Sequence, residues 1–194
     1  MGGIVSFVQK QPNSMTTAEL PLKLRSSFLG NLFGHGVQKT IDEYTPPNYT
    51  MPGNEEGMNI YHHDVYGFSF SFPKNLTVAT FKESGGEIVL VQEEKTDKSF
   101  QIFILPFDET MTVMTPERIA QDLPDLPVEY PQEAIIGVSE SSGARALIFF
   151  STDPTLGRTR EVWIIKNRLL YQITTAESYD KWLAEIMKTW RFDF

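Results

Sequence analysis

Alternation of apolar and polar positions dominates the chain after about residue 65, and this period of two predicts β-strands. Short turns such as Gly85-Gly86 and Asn167-Arg168 separate several of the alternating segments, as in consecutive hairpins. Both faces of the segment 99–107 are apolar, which predicts a strand in the middle of a sheet. The eight predicted strands are residues 66–72, 77–83, 87–93, 99–107, 133–141, 144–152, 159–166 and 169–176.

Two segments of this region have helical spacing instead. Thr115 and Pro116 are typical of a helix start, and a short helix is predicted over 115–123. The last segment places apolar residues at i, i+3, i+4, i+7, i+8 and i+11 from Tyr179, behind Ser178 as the predicted N-cap. The pattern therefore predicts an α+β fold: a mainly antiparallel sheet of about eight strands with two packed helices.

The chain divides near residue 60. We predict an N-terminal extension over 1–59, partly irregular, and a single domain over 60–194. The stretch 44–57, YTPPNYTMPGNEEG, is rich in turn-forming residues and is predicted to be a linker with polyproline character.

A weakly amphipathic helix is predicted inside this N-terminal arm, between Leu20 and Ile41. We expect it to dock on the domain or on a neighbour, and peripheral contact with a membrane surface through Lys23 and Arg25 is the alternative. Glycines at three positions lower its helix propensity. The apolar positions at helical spacing are Leu24, Phe28, Leu32 and Val37, with Leu29 and Phe33 beside them.

Composition narrows the classes of function. The net charge of −8 over 194 residues argues against nucleic acid as a main partner. No apolar run approaches the ~18 residues of a membrane-spanning helix. Because the chain has no cysteine, disulfides, thiolate metal sites and cysteine nucleophiles are excluded.

Motifs for catalysis or metal binding are weak. Ser178 and Lys181 have Ser-x-x-Lys spacing at a helix start, but Ser178 is needed there as the cap. His62 and His63 are adjacent in an extended segment, so they point to opposite faces and cannot easily share one ion. We expect both histidines to be exposed. The sequence thus predicts no catalytic residue, no metal site and no cofactor, and its oligomeric state stays open.

Acidic residues are concentrated in the segment 106–134, which has seven acids, Arg118 as its one basic residue, and five prolines. Stiff acidic loops suit a basic partner or a divalent cation. A solvated face that keeps the protein soluble is the alternative. The candidate partner-binding residues of this segment and of the N-terminal arm are Asp122, Asp125, Glu129, Phe28 and Phe33.

Three pieces of the domain carry a family resemblance: the strand GFSFSFPKNL at residues 67–76, the hairpin around Asn167, and the ending Trp190-Arg191-Phe192. With the order of elements, they resemble the PsbP-like family, which includes the photosystem II extrinsic protein and its bacterial relatives. The resemblance covers about residues 60–194, and it implies a PsbP-like sandwich of sheet and helices.

The same resemblance implies a function. It favours a non-catalytic interaction module, an accessory or scaffold subunit that docks a protein partner through the N-terminal arm and the acidic segment. A small hydrolase or ligand-binding enzyme with a cleft between sheet and helix is the alternative. The resemblance also implies an extracytoplasmic or cell-surface place if an N-terminal anchor has been removed, and a cytoplasmic place otherwise.

Overall fold

The computed structural model describes residues 44–45, 50–52, 56–83, 85–107, 110–137 and 143–192. The predicted N-terminal helix, with Phe28 and Phe33, lies outside the described residues. Within them the strands are β1 (Tyr44–Thr45), β2 (Thr50–Pro52), β3 (Met58–His63), β4 (Phe68–Pro73), β5 (Leu76–Glu83), β6 (Gly86–Glu93), β7 (Ser99–Pro106), β8 (Glu129–Ile136), β9 (Ala144–Asp153), β10 (Gly157–Lys166), β11 (Leu169–Ala176) and β12 (Arg191–Phe192). The helices are α1 (Pro116–Asp122) and α2 (Asp180–Met187).

These strands form two antiparallel sheets. The larger has the order β1-β5-β6-β7-β11-β10-β9-β8 and the smaller β12-β4-β3-β2. The predicted α+β class with a mainly antiparallel sheet is confirmed, and β7 is central, between β6 and β11. The predicted number of eight strands is too low: β1 and β12 have two residues each, and ten longer strands accompany them in the described part of the chain.

The strands missed by the sequence analysis are short or lack alternation. β1 and β2 fall inside the segment predicted as a linker, yet β1 pairs with β5 and β2 pairs with β3. β3 reads MNIYHH, in which polar residues obscure the period of two, and it pairs along its whole length with β4. These segments are therefore strands because they pair with neighbouring strands, and not because their local sequence favours a strand.

One face of the eight-stranded sheet packs against the smaller sheet and α2. Its apolar residues include Val89, Ile102 and Ile173, which meet Phe70 of β4 and Leu183 of α2 in one buried cluster. We call this side the α2 face.

The opposite face packs against α1 and the loop that follows it. Phe103, Phe149 and Trp163 from the sheet are buried with Ile119 of α1 and Leu126 of the loop. We call this side the α1 face. Both faces of the central strands are covered, which explains why those strands are apolar on both sides.

Two predicted helix details have different outcomes. Thr115 caps α1 as predicted, because its hydroxyl accepts a hydrogen bond from the Arg118 N–H at 3.2 Å. The prediction that Ser178 caps α2 is wrong. Ser178 is exposed within a 3₁₀ turn over Glu177–Tyr179, and the residue before α2, Tyr179, makes no side-chain cap.

The strand predicted over 133–141 is in fact β8, which starts earlier, at Glu129. The register shifts between Glu129 and Gln132, where Tyr130 has a φ of 51°. Pro131 lies in this irregularity, and it has no N–H to donate to a regular ladder. The alternating pattern is visible only after this bulge, so the predicted start of the strand, at residue 133, is too late.

Candidate functional site

A groove separates α2 from the β8–β10 end of the eight-stranded sheet. Its volume is about 290 Å³, near the lower end of the range of about 300–1,000 Å³ for ligand sites. The lining residues are Ile135, Ile136, Gly137, Ile148, Arg160, Val162, Asp180, Leu183, Ala184, Met187 and Lys188. Most of them are aliphatic, so the groove offers an apolar surface.

The groove exists because the layer on the α2 face is narrower than the sheet beneath it. α2 packs against β4 and β11 in the middle of the fold. The strands β9 and β8 extend further outward, to the edge of the sheet. As a result Ile148 of β9 is only half-buried, while Val162 on the neighbouring β10 is buried.

An ion pair stands in the wall of the groove. Arg160 Nε donates to Asp180 Oδ1 at 2.7 Å, and both side chains are largely buried. The guanidinium of Arg160 also lies over the Phe150 ring, 4.2 Å from its centroid. These two contacts fix the position of Arg160, since a cation over an aromatic face is attracted by the ring quadrupole.

A second arginine continues this patch beyond the groove. Its guanidinium also lies over Phe150, 4.8 Å from the ring centroid, and Arg158 lies over Tyr130 at 5.9 Å. It also pairs with Glu129 at 3.0 Å and with Glu177 at 3.6 Å. These pairs lie at a half-exposed surface, where each contributes little to stability.

Two of the three predicted partner-binding acids already have an arginine partner. Asp122 pairs with Arg118 at 2.6 Å within α1, and Glu129 pairs with Arg158. Asp125 is exposed in the loop after α1. Their role in partner binding stays a prediction, and the groove lining was not singled out by the sequence.

The two adjacent histidines of β3 point to opposite faces of the strand. The His62 ring faces outward and its Nδ1 lies 2.9 Å from Asp64 Oδ1. His63 points the other way, and its exposure is 6%. The expectation that both histidines are exposed is therefore wrong for His63. Its Nε2 lies 2.7 Å from Glu87 Oε1, a pairing that joins the two sheets.

Two tyrosines lie beside the His63–Glu87 pair. Burial raises the pKa of Tyr61 well above its usual value, and the Glu87 carboxylate raises it further, although a hydrogen bond with Thr80 opposes both. Burial also raises the pKa of Tyr66, with a contribution from Glu87. The described residues hold no group of three or more His, Asp or Glu side chains arranged for a metal ion.

The α1 face contains a buried polar cluster that the sequence analysis missed. Glu161 of β10 has no exposed surface, and it accepts hydrogen bonds from Thr159 at 2.8 Å, Thr174 at 2.7 Å and the Trp163 indole at 3.3 Å. The signal was present, because Thr159 and Glu161 have the same parity along the strand as the apolar residues Trp163 and Ile165 and so share a face with them. A cavity of about 170 Å³ near Thr174 is lined mainly by polar residues.

The Ser-x-x-Lys candidate does not form a site. Ser178 and Lys181 are both exposed. The contacts of the described residues include no hydrogen bond between them. Ser178 lies at the rim of the polar cavity, while Lys181 lies on the outer surface of α2.

Comparisons with known proteins leave the family open. No protein-family model matches the sequence, and no curated protein matches it either. Among the described residues, no helix combines the length and the apolarity that crossing a bilayer requires.

Proposed function

We propose that this chain is a non-catalytic interaction module of PsbP-like type, an accessory or scaffold subunit that binds an amphipathic protein segment in the groove beside α2. One observation carries the proposal: the groove is lined by aliphatic side chains, and its carboxylate already belongs to an ion pair with Arg160. Such a surface favours burial of apolar side chains over acid–base chemistry.

The groove exposes aliphatic surface that a bound segment would bury. Ile135 of β8 is 47% exposed, and Ile148 and Ala184 also retain exposed surface. Burying apolar area contributes about 25 cal/mol per Å², so a segment with two or three apolar side chains gains several kcal/mol before its ordering cost. The flanking ion pairs would then form the polar rim of the interface.

The overall architecture supports the PsbP-like part of the proposal. That resemblance leads one to expect an antiparallel α+β body closed by a C-terminal helix that packs on the sheet, and α2 followed by Trp190 has this place.

A small hydrolase or ligand-binding enzyme is the second candidate. The groove between the sheet and α2 favours this candidate, because such an enzyme would need a cleft there to hold its ligand. Ligand binding without chemistry agrees better with the lining, because the titratable side chains in it are Arg160, Asp180 and Lys188, and each has a charged partner.

Selection of peptides from a random displayed library on the full chain tests the proposal. We expect the selected peptides to share apolar residues at helical or alternating spacing. They should bind at least tenfold more weakly to Ala184→Arg, which fills the groove from an exposed helix position. Glu185→Gln is the matched control, since it raises the net charge by the same single unit on the adjacent residue.

Equal binding to parent, Ala184→Arg and Glu185→Gln would place the peptides elsewhere and overturn the proposal. Selection of no peptides, together with binding of a small molecule that Ala184→Arg abolishes, would favour the second candidate.

A further inference from the structure

We infer that the groove beside α2 binds residues 20–41 of a second copy of this chain, so that two copies exchange their N-terminal arms. This inference rests on the proposed function and names its partner. The occupant is identified by three properties: the spacing of its apolar residues, the place where the described chain begins, and its charge.

The dimensions of the groove match the spacing of the segment. Leu24 and Leu32 are eight residues apart with Phe28 between them, which corresponds to about 12 Å along a helix. The groove wall on α2 runs from Asp180 to Lys188, also eight residues and about 12 Å. In a helix, three apolar side chains at i, i+4 and i+8 would match a wall of this length.

The topology favours a second copy over the same chain. β1 starts at Tyr44 and pairs with β5 at one edge of the eight-stranded sheet, while β8 forms the other edge. Five strand spacings, about 24 Å, separate β1 from β10. The four-stranded sheet packs on the same face between these strands. An arm would have to pass over that sheet to reach its own groove, whereas reaching the groove of another copy does not require this path.

Charge also favours this occupant. Residues 20–41 contain Lys23, Arg25 and Lys39 and no acidic residue, whereas residues 61–194 contain thirteen basic and twenty acidic residues. A basic segment is therefore attracted to the body of the protein at long range, and the groove supplies the apolar contact. Because each copy has one arm and one groove, reciprocal exchange closes a symmetric dimer.

The absence of cysteine makes a direct test possible, since introduced thiols are the only ones in the chain. Ser27→Cys places a thiol beside Phe28 of the arm, and Ala184→Cys places one at the groove. We expect the two single variants, mixed as full chains under mild oxidation, to give a disulfide-linked dimer. A mixture of Ser27→Cys with Val65→Cys is the control, because Val65 is exposed outside the groove.

The same full chains in sedimentation give a second readout that does not need cysteines. We expect the parent to dimerise in a concentration-dependent way, Ala184→Arg to weaken the dimer at least tenfold, and Glu185→Gln to match the parent.

Each remaining outcome contradicts the inference. A double variant carrying Ser27→Cys and Ala184→Cys that cross-links only within monomers would show that the arm binds its own groove. A parent that stays monomeric and forms no cross-link, while library peptides still require an open groove, would overturn the exchange of arms and leave the proposed function standing.

Discussion

Phe68 and Trp190 stack with parallel ring planes, and their centroids are 4.8 Å apart. Phe68 starts β4 of the smaller sheet, whereas Trp190 follows α2 and has no exposed surface. Phe70 stacks on the same indole at 5.4 Å. The C-terminal segment is thus held to the smaller sheet by aromatic contact, and this contact also sets where α2, the wall of the groove, lies.

Trp190→Ala should cost about 3–5 kcal/mol of the free energy of unfolding, as for other large buried aromatic residues. Trp182→Ala should cost less, because Trp182 is only partly buried and packs at the edge of the cluster against Phe100 and below Lys98. Urea melts of both variants measure the difference. An equal or reversed order of stability would contradict the assignment of Trp190 as the main anchor.

Stability should fall as the pH rises above about 10. Burial raises the pKa of Tyr61 and of Tyr171 in the folded chain. Between the unfolded and the folded pKa these tyrosines stay protonated only when folded, so the unfolded chain binds fewer protons and its population grows with pH. Tyr61→Phe and Tyr171→Phe should each reduce this slope. Urea melts at about pH 8 and about pH 11 would contradict the account if the parent and both variants lost the same stability.

Thr174→Val should destabilise the protein by about 1–3 kcal/mol, because it removes a hydrogen bond at 2.7 Å to a carboxylate with no exposed surface. The matched control is Thr152→Val, at an exposed position of β9, which should change stability by no more than about 0.5 kcal/mol. Chemical denaturation separates the two. Similar small effects for both variants would mean that Glu161 does not depend on Thr174.

Reversing Asp122, Asp125 and Glu129 to lysine should slow the association of a basic segment at low salt and leave the fold intact. Two of the three acids are paired with arginines, so we expect them to act on the long-range field and not as direct contacts. Stopped-flow association rates should converge with those of the parent at high salt, where charges are screened within about 3 Å. A difference that persists at high salt would indicate direct contact instead.

The sequence predicted the parts of the fold that local pattern determines. The apolar run of β7 marked a central strand, Thr115 marked the start of α1, and Asn167-Arg168 marked a tight hairpin, where both residues have positive φ values of 52° and 61°. The bulge at Tyr130 and the short strands β1 and β12 depend on partners distant in sequence, and no local period reveals them.

The groove could not be predicted for the same reason. Ile136, Ile148 and Met187 come from three separate elements, and they meet only because the sheet is wider than the layer above it. Arg160 and Asp180 are twenty residues apart and give no motif. By contrast, the burial of Glu161 could have been predicted, because it shares a face of β10 with Trp163 and Ile165 and that strand lies inside the sheet.

The most direct test of the groove as the binding site for residues 20–41 is fluorescence anisotropy of a labelled peptide with that sequence, titrated with the full chain. The account predicts saturable binding to the parent and to Glu185→Gln, and at least tenfold weaker binding to Ala184→Arg. It also predicts that a peptide with Phe28→Ser binds less tightly to the parent. Equal dissociation constants for all three proteins, or for both peptides, would contradict it.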